Sequence, residues 1–167
     1  GKARFVGFST HCKNRSEYIQ AAADGGYIDA IMLQYSPFIE QDKALNKAVD
    51  AAWKEGIGLI SMKQVAGSFV NNHAEGGVLD EIVARYAPVL EEKRLTKYRG
   101  RLHAIWTDER FSTACVSMRN TDQIRENTDA ARRFEPLKAA EIDQLRRAVI
   151  AAGPTMCAGC EGQCAVA

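Results

Sequence analysis

The chain has no apolar run near the roughly 20 residues needed to span a bilayer. Its opening, GKARFVGFSTH, lacks the long apolar stretch of a signal peptide. An excess of one charge is missing too: 22 Lys and Arg against 21 Asp and Glu leave a formal net charge of +1. That balance gives no general pull toward nucleic acid or a membrane surface, and neither is expected as a partner. No short-period repeat and no low-complexity linker interrupts the chain before its tail. Cysteines number five in 167 residues and are unevenly spread. A secreted disulfide framework is ordinarily short, even-numbered and distributed, so reduced thiols or metal ligands are expected instead. A cytoplasmic location follows as the expectation, with export left open because a leader would lie upstream of Gly1. The opening reads as a strand already under way, which implies a preceding segment.

What is present is an alternation. Phe5 to Phe8 is a short apolar run that reads as a buried strand ending at Ser9-Thr10-His11. A helix follows over about Glu17 to Ala23, capped by Asn14 or Ser16 and stopped by Gly25-Gly26. Ile28 to Leu33 is a second strand running into Gln34-Tyr35. Lys43 to Lys54 carries Leu45, Ala48, Val49, Ala52 and Trp53 at helical spacing. Ile57 to Met62 is a third strand. After a loop region come a short helix at Leu79 to Tyr86 and a helix over Arg94 to Asp108. Phe111 to Val116 is a fourth strand, and helices follow at Thr121 to Arg133 and Ala139 to Ala151.

Continuous apolar strands alternating with amphipathic helices imply an α/β fold of parallel strands under covering helices. An open doubly wound sheet and a barrel segment both fit that order. The loops separate them. Each strand ends in polar residues, as in barrels whose sites lie on the loops after the strands. A Rossmann sheet would carry GxGxxG after its first strand, and this chain has none.

The tail has C-x2-C-x3-C spacing at Cys157, Cys160 and Cys164, with Gly159 and Gly162 letting the backbone curl. Soft thiolates select an iron–sulfur cluster or zinc. Three local donors fall short of the usual four. Cys12, Cys115 or a group from elsewhere is the candidate fourth, and an empty tail is the third reading.

The pieces GKARFVGFSTH, IDAIMLQYSPF, GIGLISMKQVAG and FSTACVSMRNTDQIRENTDAA together resemble the aldo/keto reductases, in the order of strands five to eight of that family's (β/α)8 TIM barrel. The resemblance covers Gly1 to about Arg132, with a gap around Ser68 to Leu90. MCAGCEGQC resembles the extension of members with ferredoxin-like cysteines, which favours a 4Fe–4S cluster over zinc. The resemblance implies residues 1–135 as half a barrel, 136–154 as a C-terminal helix and 155–167 as a cysteine-rich tail. It implies an NADP- or NAD-dependent oxidoreductase that moves a hydride between the nicotinamide and a carbonyl or alcohol. Ser9, Thr10, His11 and Gln34 would meet the carboxamide, and Tyr35 would stack on the nicotinamide. Lys63 and Gly67, with Ala66 and Ser68, would wrap the pyrophosphate. Arg119, Asn120, Gln123, Glu126 and Asn127 would hold the adenosine end. Gln64 stands where the family often has Pro, and Gln123 where many members have Arg, leaving NADP against NAD open.

The family's catalytic Asp, Tyr, Lys and His belong to the first half of its barrel, and no matching set occurs here. The chain alone is therefore expected to be inactive, and to assemble with an N-terminal half, another chain or its own copy. Each candidate also has a plainer reading: Ser9 to His11 as a capping turn, Gln34 as a satisfied strand end, Lys63 as a solvated charge, Asn120 as an N-cap. Arg119 and Asn127 read equally as helix-start residues. His73 and His103 read as surface or helix residues, Cys12 and Cys115 as small buried side chains, and the run from Glu91 to Arg101 as a solvated helix face.

Overall fold

A computed structural model of the chain describes residues 2–37, 42–62, 78–118 and 120–152. Four strands, β1 (Gly7–Thr10), β2 (Ala30–Gln34), β3 (Gly58–Met62) and β4 (Phe111–Cys115), form one sheet in the order β1-β2-β3-β4, every neighbouring pair parallel. Helix α1 (Arg15–Gly25) crosses from β1 to β2, and α2 (Lys43–Lys54) from β2 to β3. The long β3–β4 connection carries α3 (Val78–Tyr86), α4 (Val89–Glu92) and α5 (Lys97–Thr107). After β4 come α6 (Thr121–Arg132) and α7 (Ala139–Ala152). No helix among the described residues is long and apolar enough to cross a membrane.

Consecutive strand order has a direct consequence. Crossovers between parallel strands are right-handed, so strands added always in one direction receive their helices on one side. The burial pattern follows: Ile31, Leu33 and Leu59 are fully buried against Ile19, Leu45, Val49 and Ile105 of the helices. The alternate residues face the other way. Ala30, Met32, Gln34, Gly58, Ile60 and Met62 are only half-buried, and Gly7, Ser9, Thr113 and Cys115 are exposed. Register aligns this face, which no helix covers among the described residues, in rows, Gly7–Ala30–Gly58, then Ser9–Met32–Ile60–Thr113, then Gln34–Met62–Cys115. An irregularity opposite Leu59/Ile60 lets Thr113 rather than Ser112 pair with Ile60. This one-directional winding, with one face under helices and the other left open among the described residues, is that of a barrel segment and not of a doubly wound sheet.

Local chemistry sets the ends. Asp42 accepts from the N–H groups of Ala44 and Leu45 and starts α2, and Gly26 at φ 67° closes α1. A second apolar cluster joins Val89 and Leu90 of α4, Ala104 of α5, and Leu137, Leu145, Ala148 and Val149. The helix within 136–154 therefore packs into the body of the fold.

Four expectations change. Phe5 and Val6 are 70% and 53% exposed, so the first strand begins at Gly7 and not in a buried run. The single helix over Arg94 to Asp108 is broken: α4 ends, Arg94 turns at φ 52°, and Thr96 caps α5 by accepting from the Arg99 N–H. Arg101 is buried, at 4% exposure, where a solvated face was expected, and His103, expected as a surface or helix residue, is a helix residue of α5 at 2% exposure. Cys12 and Cys115 are exposed rather than buried, because they lie at the open strand ends.

Gly7 tests the close approach of the first two strands. A Cβ there would stand 2.5 Å from the Ala30 carbonyl oxygen, whereas at Gly58 the nearest atom is 3.5 Å away. Gly7→Ala should cost about 1–3 kcal/mol in urea unfolding, and Gly58→Ala less than about 1. Equal effects would refute the packing argument.

Candidate functional site

The carboxyl ends of the strands bring polar residues to one edge of the sheet. Ser9, next to last in β1, and Gln34, last in β2, both belong to the face without helices among the described residues, one row apart. Alternation sends Thr10 the other way: it is 9% exposed, and its Oγ1 lies 3.1 Å from Cys12 Sγ. His11 follows, exposed, in the turn before α1. Past β4, Asn120 caps α6, its Oδ1 accepting from the Gln123 N–H at 2.9 Å. Gln123, Glu126 and Asn127 recur at helical spacing along α6, all half-buried. Glu126 accepts from the Thr96 hydroxyl at 2.6 Å, which ties α6 to the start of α5. Lys63, Gly67 and Arg119 lie outside the described residues, as do Ala66, Ser68 and His73.

Tyr35 is placed differently from a ring waiting for a nicotinamide. It is 4% exposed, stacks on Phe111 with ring centroids 4.2 Å apart, and donates its hydroxyl proton to Asp108 Oδ2 at 2.8 Å. Arg110 completes the group. It donates to both Asp108 oxygens at 2.8 and 2.7 Å, to the Tyr35 hydroxyl oxygen at 2.9 Å, to Asn46 Oδ1 at 3.2 Å and to Asp50 Oδ1 at 2.7 Å. Burial and then the Asp108 charge push the Tyr35 hydroxyl well above its ordinary range, so it stays protonated and a donor. Burial alone would raise Asp108, but the hydrogen bonds from Arg110 and Tyr35 outweigh it and hold the carboxyl below its usual value. The ring is thus a packing and anchoring element, with no open face for stacking. Nothing in the sequence pairs Arg110 with residues 60 and 75 positions away; only the helical spacing of Asn46 and Asp50 hints at a shared face.

Among the described residues no group of three or more His, Cys, Asp or Glu side chains converges to hold a metal. Cys157, Cys160 and Cys164 lie outside the described residues.

No protein-family model and no curated protein matches the chain. Among solved structures, it is similar to a thermostable aldo-keto reductase determined in complex with the inhibitor epalrestat, with a TM-score of 0.56 and 15% identity. The match covers 87% of this chain and 48% of that one, so the chain spans about half that enzyme's length. The likeness is one of fold: parallel strands and helices in the manner of part of a β/α barrel.

The Asp108 group predicts an acid dependence. A carboxyl held below its ordinary 3.8 contributes stability that is complete above that value and lost as pH falls through the lower folded one. Asp108→Asn should lose about 1–3 kcal/mol at neutral pH and show a flatter decline between about pH 5 and pH 2 than the native chain. Parallel declines in chemical denaturation would contradict this.

Proposed function

We propose that this chain is the nucleotide-holding half of an oxidoreductase of the aldo/keto reductase type, using NADP or NAD. The reading rests on one observation above the rest: Ser9 and Gln34 stand one row apart on adjacent strands, on the face that no helix covers among the described residues, at the carboxyl end of the sheet, where β/α barrels bind ligands. A planar amide needs both donors and acceptors, and a hydroxyl beside a carboxamide offers both. His11, Asn120, Gln123 and Asn127 extend the same edge as contacts, with Lys63, Gly67 and Arg119 completing it from outside the described residues. Glu126, bonded to Thr96, orders α6 from its α5 side and keeps a second carboxylate oxygen for a ribose. Thr10 and Tyr35 support the edge from the helix side. When bound, the nicotinamide supplies the hydride acceptor or donor. The chain's residues bind and orient it, and the proton donor for a carbonyl belongs to a half of the barrel that this sequence does not match. In the same reading the tail thiolates Cys157, Cys160 and Cys164 suit a 4Fe–4S cluster, with zinc second and one coordination position to be filled by another ligand.

A second reading has its own support: a half-barrel that assembles with a complementary half or its own copy. The outer edges of β1 and β4 lack a neighbouring strand among the described residues. Tyr18 and Tyr27, beside the β1 edge, are 53% and 70% exposed. Parallel sheets are ordinarily covered on both faces and closed or blunted at their edges.

Titration with NADPH, followed by quenching of tryptophan fluorescence, should show weak saturable binding that falls about tenfold in Gln34→Ala, with no carbonyl reduction by the chain alone. Robust turnover by a sample of confirmed mass would overturn the half-enzyme reading, and no binding at millimolar NADPH would overturn the cofactor reading. Light scattering with intact mass should report a species larger than 18.4 kDa if the half-barrel self-assembles. A stable monomer counts against it.

A further inference from the structure

The buried positions of the two central strands hold one polar side chain. Ile31 and Leu33 of β2 and Leu59 of β3 are fully buried, and the alternation calls for an apolar residue at position 61. Ser61 stands there instead, also fully buried. A buried hydroxyl is costly unless it is bonded. Ser61 Oγ donates to the Tyr35 carbonyl oxygen at 3.0 Å, across to the residue that follows Gln34. The Tyr35 N–H donates to the Met62 carbonyl oxygen at 3.3 Å. At the far end of the side chain the Tyr35 hydroxyl meets Asp108 and Arg110, and the ring lies on Phe111. Every polar atom of Tyr35 is thus bonded inside the fold.

Gln34 is the reverse case. Its backbone is held on both sides, before it by the pairing of Leu33 with Ser61 and after it by the Tyr35 contacts. Its side chain is half-buried on the open face, and among the described residues its carboxamide makes no hydrogen bond. Chain segments at the ends of elements ordinarily fray first. A carboxamide offers its N–H and C=O in one plane, so it binds a second planar amide only in one orientation. A backbone fixed beforehand loses less freedom when that partner arrives. The bonding pattern is therefore divided: a residue whose polar atoms all bond inward anchors the next residue back, whose polar atoms remain for a ligand.

We propose that Ser61 and Tyr35 are positioning residues for the cofactor: they hold the peptide after Gln34 so that its carboxamide meets that of the nicotinamide. This rests on the oxidoreductase reading above and gives a role to two side chains that touch no cofactor. Acting through Gln34 has its own signature. Loss of either hydroxyl weakens the hold on the nicotinamide end alone. It weakens nothing further once the Gln34 carboxamide is gone, because the two residues then have nothing to position.

The test is calorimetric titration of the 167-residue chain with NADPH and with adenosine 2′,5′-bisphosphate, which has the adenosine end and no nicotinamide. Ser61→Ala, and Tyr35→Phe with its ring still on Phe111, should each weaken NADPH binding about fivefold with circular dichroism unchanged. Binding of the bisphosphate should change by less than about twofold. In a Gln34→Ala background, itself about tenfold weaker, neither substitution should weaken NADPH further. Should one variant lose its circular dichroism, the other carries the same comparison, and loss of fold in both overturns the proposal. It is overturned too if bisphosphate binding falls in step with NADPH, or if the losses add to that of Gln34→Ala. A loss in Gln34→Ala with none in Ser61→Ala and Tyr35→Phe overturns this proposal alone. No NADPH binding by the native chain, or no loss in Gln34→Ala, overturns the cofactor reading and this proposal with it.

Discussion

Winding in one direction governs this molecule. Because β1 to β4 follow one another in space as in sequence, right-handed crossovers carry α1 and α2 to the same side of the sheet, and the α5 side chains Ile105 and Trp106 pack into the same core. That side closes over Ile31, Leu33 and Leu59 and supplies the main core. The opposite face keeps its Ala, Met and Ile side chains only half covered. The same asymmetry aims alternate residues at each strand end in opposite directions. Ser9 and Gln34 reach the open face, while Thr10 and Tyr35 turn inward and serve the packing.

The Tyr35–Asp108–Arg110 group holds the two ends of this arrangement together. It joins the residue after β2, the turn between α5 and β4, and the polar side of α2 through Asn46 and Asp50. Arg110 and Asp108 have side chains only 16% and 14% exposed, so removing either leaves a charge with little water. Breaking such a pair costs about 3–5 kcal/mol when fully buried. The Asp50 contact, half in solvent, adds far less. Gln34 is thereby followed by a residue that is fixed on the helix side, which sets the direction in which the strand end can present its carboxamide.

Much of this was legible in the residues because it is local. The apolar runs at Ile28 to Leu33 and Ile57 to Met62 are strands, and the spacing of Leu45, Val49 and Ala52 is a helix whose bounds match α2. Asn120 as an N-cap was legible for the same reason, since it bonds three residues along the chain. Misreadings arose where distant contacts overrode local character. Phe5 looked like core and is exposed because the sheet registers β1 against Ala30 from Gly7 onward. Arg101 looked like part of a polar face and is buried, and two residues on His103 is buried in the same helix with Ala130 and Phe134 against it. The polar residues Thr96 and Arg94 hid a helix break that Thr96, as a capping residue, could have signalled.

The sequence by itself determined the elements, their parallel character and the polar chemistry of each strand end, because hydrophobic period and capping residues act within a few positions. It also limited the chain to half of the motif series it resembles. Tertiary structure alone decided which strand-end residues share a face, since that depends on register across strands. It alone joined Arg110 to Asp50 and Tyr35, and set the His103 ring against the Ala130 carbonyl. Those pairings link residues that only the winding of the chain makes neighbours, and their energies depend on burial that no single segment carries.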